Sequence, residues 1–206
     1  MTDHSNKKFW DKFAKLYAPF MKKDQDVYDQ VCEDIRPYLN PNMKVLELAC
    51  GSGQLSFSLS KHTKTWIATD FSEPMIREAQ KRGAYDKLSF EVADASALTY
   101  ADEAFDCVLI ANALHIMPNP EVAMKEIHRV LKADGLLFAP TFLWKEGKQR
   151  SVLKRIMSFV GFKMYQEWDK KQFADFIAQH GFSVLEMKLV YEALAPIGVM
   201  IAQKVA

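Results

Sequence analysis

Polar side chains that could hold a nucleoside follow several short apolar runs in the middle of the chain. Gly51 and Gly53 come after the first run, and Asp70, Asp94 and Asn112 come at or after the next three. Glycines between a strand and a helix let a ligand approach the backbone closely, and the unpaired N–H groups of the helix attract polar atoms. A carboxylate such as Asp70 can accept hydrogen bonds from two ribose hydroxyls. Each acid alone is more commonly a helix cap or a solvated charge, and the turn alone could bind nothing. Their joint placement favours a nucleoside site.

The acid that precedes the glycine turn, Glu47, narrows the class of nucleotide. A carboxylate there would repel a dinucleotide pyrophosphate, and it suits a ligand with a cationic amino group. The turn also reads Gly51-x-Gly53-x-x-Ser56, which lacks the last glycine of the dinucleotide fingerprint. These residues disfavour an NAD-dependent oxidoreductase. They predict S-adenosylmethionine, a nucleoside with a cationic amino-acid tail, and Asp94 could then face the amino edge of its adenine.

Short apolar runs alternate with longer amphipathic stretches around these residues. The alternation predicts βαβ units and a parallel sheet covered by helices on both faces, and thus an α/β fold. Five strands are predicted, at Met43–Ala49, Thr65–Asp70, Leu88–Asp94, Phe105–Ala111 and Leu136–Phe142. Helices are predicted between them at Gln54–Lys61, from a cap at Ser72 to Gly83, and from Pro120, with Val122 on the apolar face, to a stop at Asp134-Gly135.

The two flanks of this core differ from it in composition. Lys7–Tyr38 predicts two helices rich in aromatic residues. Near the other end, a cap formed by Asp169 and Gln172 begins a helix that stops at Gly181. Two alternating segments, Phe182–Val190 and Ile197–Val205, can then pair as an antiparallel hairpin on the sheet edge. We therefore expect a single domain with N-terminal helices (1–42), a cofactor-binding core (43–142), a variable basic insert (143–168), and a helix with a terminal hairpin (169–206).

Length and composition set limits on the class of protein. The chain has 206 residues, a formal net charge of +1 and 49% hydrophobic residues, as expected for one globular domain. The near-zero charge provides no field that would attract nucleic acid. Three cysteines without a CxxC motif, and no His/Asp/Glu set with ligand spacing, predict neither a disulfide scaffold nor a metal site. The chain shows no secretory signal and no apolar stretch of membrane-spanning length, so we expect a cytoplasmic protein.

The order of motifs resembles that of the class I S-adenosylmethionine-dependent methyltransferases, in particular their small-molecule and lipid/quinone-type branch. ELACGSG resembles motif I, and TDFSEPMIREA, VADASAL, FDCVLIANALHIMPNP and EIHRVLKADGLLFAPTF resemble the segments that follow, so the resemblance covers Met43–Phe142. It implies a seven-stranded Rossmann-like sheet in the order 3-2-1-4-5-7-6 with strand 7 antiparallel. It also implies lid helices at the N-terminus.

Residue by residue, the resemblance implies contacts along the whole cofactor. The methionine portion would lie against Glu47, Gly51 and Gly53, the ribose on Asp70, the adenine against Phe71, Met75, Asp94 and Ala95, and the sulfonium near Asn112. The chain departs from the family pattern at Ala49, where the motif has its first glycine. Alanine is small, so we expect binding to survive provided that residue 49 does not need a positive φ.

The implied reaction is an in-line displacement that gains most of its rate from proximity, orientation and exclusion of water. His115 is the candidate base for an acceptor that must lose a proton, and a packed or capping histidine is the alternative interpretation. Tyr17 is a candidate lid residue, and a core aromatic is an equal alternative. The basic amphipathic stretch 145–163 could contact an anionic membrane or cover an apolar acceptor, or it could simply pack on the domain with a solvated basic face.

We therefore expect an enzyme that methylates a small, apolar or lipid-like molecule. The alternative is a non-catalytic S-adenosylmethionine-binding sensor or partner module. Nucleic acid is not expected as the acceptor, because Asn112-Ala113-Leu114-His115 stands where adenine methyltransferases carry an NPPY tetrad. The sequence leaves open whether the acceptor atom is N, O, S or C, whether protein is methylated, and what the oligomeric state is.

Overall fold

Seven strands form one mixed sheet in the computed structural model, which describes residues 5–21, 24–83, 85–146, 163–191 and 195–205. The strand order is β3-β2-β1-β4-β5-β7-β6, and β7 runs antiparallel to both of its neighbours. The predicted fold and strand order are thus confirmed. The strands are β1 (Lys44–Leu48), β2 (Thr65–Asp70), β3 (Leu88–Val92), β4 (Phe105–Ile110), β5 (Leu131–Phe142), β6 (Phe182–Val190) and β7 (Ile197–Lys204).

Helices cover both faces of the sheet. They are α1 (Ser5–Met21), α2 (Gln25–Ile35), α3 (Ser56–Leu59), α4 (Glu73–Gln80), α5 (Pro120–Val130) and α6 (Lys170–Gln179). Buried side chains of α5 and α6 pack with Leu46 and Leu48 of β1 on one face. Buried side chains of α2, α3 and α4 pack with Val45 on the other face. Neighbouring residues of a strand point to opposite faces, so the nearly continuous apolar sequence of β1 fills two cores at once.

The C-terminal part of the chain forms the predicted helix and the predicted antiparallel hairpin at the edge of the sheet. The side chain of Asp169 accepts a hydrogen bond from the backbone N–H of Gln172, whose own side chain returns to the backbone of Asp169. This capping box satisfies N–H groups that the first turn of α6 leaves open. The strands β6 and β7 then pair antiparallel, with Val190 opposite Ile197 at the turn.

The boundary between α5 and β5 differs from the sequence prediction. The helix ends at Val130, and the strand begins immediately at Leu131, which pairs with Phe105 of β4. Asp134 adopts a positive φ of 59° within the strand, where the register of the β4–β5 pair shifts. The Asp134-Gly135 pair was expected to end the helix, but it lies at this irregularity in β5.

Two further helical predictions were wrong in detail. The helix expected at Gln54–Lys61 is only α3, followed by a 3-10 turn at Ser60–His62. The predicted stretch Gln54–Lys61 contains three serines, which have low helix propensity and compete for backbone hydrogen bonds. Val122, placed on the apolar face of α5, has 41% of its surface exposed. The face that packs on the sheet carries Ala123, Met124, Ile127 and Val130.

Most of the basic insert lies outside the described residues. Of the stretch 145–163, the structure describes only Lys145, Glu146 and Lys163. The proposed membrane contact of this stretch therefore stays a prediction, as does the division into segments. No helix in the described ranges combines the length and the apolar character needed to cross a membrane.

Candidate functional site

The carboxyl ends of β1, β2 and β4 meet at one edge of the sheet, because Leu48 of β1 pairs with both Thr69 and Ile110. The glycine turn follows β1 there. Gly51 and Gly53 have φ of 56° and 81°, which side chains rarely tolerate. A Cβ atom at Gly53 would also lie 2.8 Å from a ring carbon of Phe57. The turn therefore needs glycine at these positions.

Asp70, at the end of β2, connects this turn to the start of α4 through hydrogen bonds. Its Oδ2 accepts a hydrogen bond from the N–H of Gly51 at 2.8 Å, and its Oδ1 accepts one from the N–H of Ser72 at 2.8 Å. Burial raises the pKa of this carboxyl to about 6, against the opposing effect of the two N–H donors. Carboxylate oxygens have further lone pairs, so Asp70 can also receive hydroxyl donors from a ligand.

Glu47 lies deeper than the sequence suggested, with 2% of its surface exposed. Its Oε2 accepts hydrogen bonds from the Ser56 hydroxyl at 2.6 Å and from Nε1 of Trp66 at 2.7 Å. Burial raises the pKa of the carboxyl to about 7, although both donors oppose that shift. Glu47 thus ties β1 to β2 and to the first residue of α3 beneath the glycine turn.

Ala49, which replaces the first glycine of the motif, adopts a positive φ of 54°. Cofactor binding was expected to survive the replacement of glycine by alanine only if residue 49 did not need a positive φ, and this condition is not met. A non-glycine residue in the left-handed region costs roughly 1–2 kcal/mol. The chain therefore carries backbone strain at the first position of the turn.

Replacing Ala49 by glycine is expected to stabilise the fold by about 0.5 kcal/mol, because relief of strain exceeds the entropy that glycine loses on folding. The melting temperature should rise by about 1–2 °C. Ala101→Gly is the matched control, since Ala101 is exposed and has no positive φ. It should lower stability by about 0.5 kcal/mol. Equal losses in the two variants would contradict strain at Ala49.

Four residues predicted to surround an adenine lie on two neighbouring segments beyond β2 and β3. Phe71 follows Asp70 directly, and Met75 is buried in the first turn of α4. Asp94 comes two residues after β3, and its Oδ1 accepts hydrogen bonds from the N–H and hydroxyl of Ser96. Ala95 beside it is buried. The fold brings both segments to the same edge of the sheet, because β2 and β3 pair in parallel.

Asn112 lies two residues beyond β4, on the same edge as the glycine turn. Its backbone N–H donates to the carbonyl of Pro140 at 2.8 Å, and its φ is 51°. Its side-chain Oδ1 is buried and has no hydrogen-bond partner within the described part of the chain. A buried acceptor left without a donor costs about 1–3 kcal/mol. This atom is therefore suited to a ligand that brings an N–H group.

The N-terminal helix α1 covers the crevice. A Cβ atom at Gly51 would lie 2.9 Å from Cε1 of Tyr17, so the phenol ring rests on the glycine turn. Burial raises the pKa of this phenol. Asp11 accepts a hydrogen bond from the hydroxyl of Ser72 at 2.6 Å, and the ammonium of Lys7 lies 4.4 Å from the ring centre of Phe71. The structure thus places Tyr17 over the turn, as a lid residue would be.

One side chain at the start of α1, that of Asn6, forms hydrogen bonds to the segment that follows β4 and to Lys163. The amide of Asn6 donates to the carbonyls of Ile116 and Lys163, each at 2.8 Å, and its Oδ1 accepts from the N–H of Lys163. Ile116 comes after β4, and Lys163 is the first described residue beyond the gap in the basic insert. The carbonyl of His115 also accepts from the N–H groups of Tyr165 and Gln166.

His115 is buried beyond β4, with its Nδ1 3.2 Å from the hydroxyl of Thr141. Burial lowers the pKa of its imidazole to about 3. The rings of Phe142 and Trp144 lie beside it. A neutral, packed histidine is the alternative interpretation given above, and this environment favours it.

Sequence reasoning missed several residues that hold the site together. The hydrogen-bond partners of Asp11 and Asn6 lie 61 to 157 positions away in the sequence. The partner of Trp66 lies on the neighbouring strand. The uncharged polar Asn6 and the single acid Asp11, in a helix whose other polar residues are mainly lysines, were the available signal. Among the described residues, no group of three or more His, Cys, Asp or Glu side chains is arranged to hold a metal ion.

Comparison with known proteins gives relatives over most of the chain. A family model described as a methyltransferase domain matches residues 46–139. An uncharacterised protein of Methanocaldococcus jannaschii is 30% identical over 189 residues, which cover 92% of this chain and 80% of that protein. A ubiquinone/menaquinone biosynthesis C-methyltransferase of Rickettsia bellii is 31% identical over 142 residues. That match covers 64% of this chain and 56% of the relative, so it spans about half of the relative's length.

Similarity of fold extends over nearly the whole chain. A chain from the complex that contains the Trm112 methyltransferase activator of Haloferax volcanii superposes with a TM-score of 0.81 at 17% identity. The match covers 96% of this chain and 98% of that one. The methyltransferase-domain match begins in β1 and ends in β5, and therefore spans the glycine turn, Asp70, Asp94 and Asn112. Residues 46–139 therefore belong to the methyltransferase-domain family, and the sheet around them has the strand order expected from the resemblance to class I S-adenosylmethionine-dependent methyltransferases.

Proposed function

We propose that this protein transfers a methyl group from S-adenosylmethionine to a small, largely apolar acceptor. The observation that carries the proposal is the position of Asp70. A single buried carboxylate bonds to the glycine turn and to the first residue before α4, at the edge where three strands end. It can accept the two hydroxyls of a ribose there while it holds the turn in place.

The residues of the crevice fit this methyl donor. The unpartnered Oδ1 of Asn112 suits an ammonium donor. The proposed ligands are Glu47, Gly51 and Gly53 for the methionine portion, Asp70 for the ribose, Phe71, Met75, Asp94 and Ala95 for the adenine, and Asn112 near the sulfonium. Glu47 would act through the charge beneath the turn, because its Oε2 already accepts two hydrogen bonds.

When bound, S-adenosylmethionine supplies a methyl group on a positively charged sulfur. Asp70, Asn112 and the glycine turn would hold this donor, and its sulfur would keep the electron pair of the broken carbon–sulfur bond when the acceptor takes the methyl group. The task of this chain is to align the two reactants and to exclude water. Helix α1 would exclude water through Tyr17, which lies over the glycine turn, and through Asn6, which lies near the start of the helix.

A general base inside the site is not required by this geometry. His115 stays a candidate, but an imidazole with a pKa of about 3 holds a proton only weakly. Tyr17 keeps its proton, since burial raises its pKa. An acceptor that is already deprotonated, or that loses its proton to water after the transfer, therefore matches the site best.

The name of the Rickettsia relative, which describes methylation at carbon in quinone biosynthesis, supports an apolar ring compound as the acceptor. The apolar and basic composition of 145–163 points the same way. The fold shared with a chain of the Haloferax complex supports a Trm112-type activator as a protein partner. A non-catalytic binding module is the competing function, and it would bind the cofactor without turning over any acceptor.

Thermal unfolding with S-adenosylhomocysteine, S-adenosylmethionine and NAD tests the proposal. A ligand at about 100 times its dissociation constant stabilises the folded state by roughly 2.7 kcal/mol. For a domain of this size, the melting temperature should rise by about 5–10 °C with either adenosyl ligand and stay unchanged with NAD. A rise with NAD alone would overturn the proposal. A rise without methylation of any member of a broad acceptor panel would favour the binding module.

A further inference from the structure

Three aromatic rings form a cluster beyond the ends of β4 and β5. His115 and Phe142 have ring centres 6.0 Å apart at an angle of 84°, and Trp144 lies 6.2 Å from His115 and 5.4 Å from Phe142. We call His115, Phe142 and Trp144 the aromatic cluster. Phe142 and Trp144 lie at and just after the end of β5, and His115 lies in the turn after β4, so the fold brings these two segments together.

The indole N–H of Trp144 has no hydrogen-bond partner among the residues that the structure describes, although only 4% of this side chain is exposed. An indole nitrogen can only donate. Leaving such a donor unpaired in a buried place costs about 1–3 kcal/mol. A group that accepts a hydrogen bond would remove this cost.

The two rings beside this donor, those of His115 and Phe142, carry no charge. His115 is neutral because burial depresses its pKa, and its Nδ1 is engaged with Thr141. Phe142 supplies an apolar ring. A charged ligand would lose its hydration against these rings, which offer it no counter-ion, so the cluster suits a neutral molecule with a flat apolar body.

The aromatic cluster adjoins the proposed donor site. Asn112, assigned near the sulfonium, lies three residues before His115, and its N–H binds the carbonyl of Pro140 two residues before Phe142. The proposed donor site and the aromatic cluster therefore lie at the ends of the same two strands, β4 and β5. A molecule against the cluster would lie on the β5 side of Asn112, and the glycine turn lies on the β1 side.

We propose that Trp144 is a specificity-determining residue, whose indole N–H donates a hydrogen bond to a ring or carbonyl oxygen of a planar, uncharged acceptor packed against His115 and Phe142. The proposal rests on the methyltransferase function argued above, since it names the acceptor class of that site. It adds a directional contact to a recognition that would otherwise depend on apolar surface alone.

Nuclear magnetic resonance of the tryptophan indole groups tests this contact directly. The chain has four tryptophans, and loss of one signal in Trp144→Phe assigns the relevant resonance. Coumarin, a flat bicyclic carbonyl compound, is the probe, and naphthalene is its matched analogue without oxygen. Titrations are run on the wild type with and without S-adenosylhomocysteine. Coumarin should move the Trp144 N–H signal downfield. The Trp66 N–H, which already binds Glu47, should stay in place.

Affinity gives an independent readout. Trp144→Phe should weaken coumarin about 5- to 10-fold and leave naphthalene unchanged, because only one neutral hydrogen bond is lost. Trp168→Phe, at another buried tryptophan, should change neither affinity. An unmoved Trp144 signal, or equal behaviour of the two probes, would overturn the proposal.

The two proposals fail in different ways. If S-adenosylhomocysteine stabilises the protein but coumarin does not reach Trp144, the acceptor contact is wrong and the methyltransferase function stands. If coumarin moves the Trp144 signal but no adenosyl ligand binds, the contact stands and the methyl-donor site is wrong.

Discussion

The variant Asp70→Asn is expected to lose the thermal stabilisation that S-adenosylhomocysteine gives the wild type. The asparagine side chain has one acceptor oxygen in place of two, so it cannot bind both the Gly51 and Ser72 N–H groups and also receive two ribose hydroxyls. Hydrogen bonds to a charged acceptor contribute about 1.5–3 kcal/mol each. Loss of two such bonds should weaken binding at least 100-fold, measured by titration calorimetry and by the shift in melting temperature.

Asp102→Asn is the matched control, because Asp102 is an exposed carboxylate before β4, at the opposite edge of the sheet. It should keep the full ligand-induced shift. Each variant is compared with its own ligand-free melting temperature, which separates loss of binding from loss of fold. A full shift in Asp70→Asn would show that the ribose lies elsewhere.

The second large effect concerns the pH dependence of stability, through Glu47. Its pKa is about 7 in the folded protein, against 4.5 for the unperturbed carboxyl. The folded state therefore holds a proton that the unfolded chain releases as the pH rises. The stabilisation is fully present below pH 4.5 and is lost as the pH rises to about 7. This one group should lower the free energy of unfolding by about 3 kcal/mol across that range.

Glu47→Gln isolates this contribution, because glutamine can still accept from Ser56 and Trp66 but cannot ionise. Urea unfolding at several values between pH 4.5 and pH 7.5 should show the variant gaining on the wild type by about 3 kcal/mol. In Trp66→Phe, which removes one donor, the loss should extend to higher pH. Parallel stability curves for wild type and Glu47→Gln would contradict a raised pKa.

The architecture was predictable because its signals are local. The strands β2 and β6 begin and end at the predicted residues, since apolar runs and turn residues mark them. The α5–β5 boundary was not predictable in this way. Leu131 can continue the apolar face of the helix, and only its pairing with Phe105 makes it extended.

The site was predictable as a set of positions but not as a network of contacts. Strand ends place Asp70, Asp94 and Asn112 at one edge for any sequence with this topology. The partners of Glu47 depend on where β2 and α3 put Trp66 and Ser56, which no spacing reveals. The low pKa of His115 likewise follows from burial by the folded chain.

The three hydrogen bonds of Asn6 have a consequence for the order of events in a catalytic cycle. Any movement that lifts the Asn6 end of α1 breaks the contacts with Ile116 and Lys163 together. Ile116 comes after β4, next to His115, and Lys163 is the first described residue after the gap in the insert. In the proposed function, exit of the adenosyl product and loosening of the acceptor side would then be coupled. Such coupling favours ordered exchange, in which the acceptor side cannot be reset independently of the cofactor.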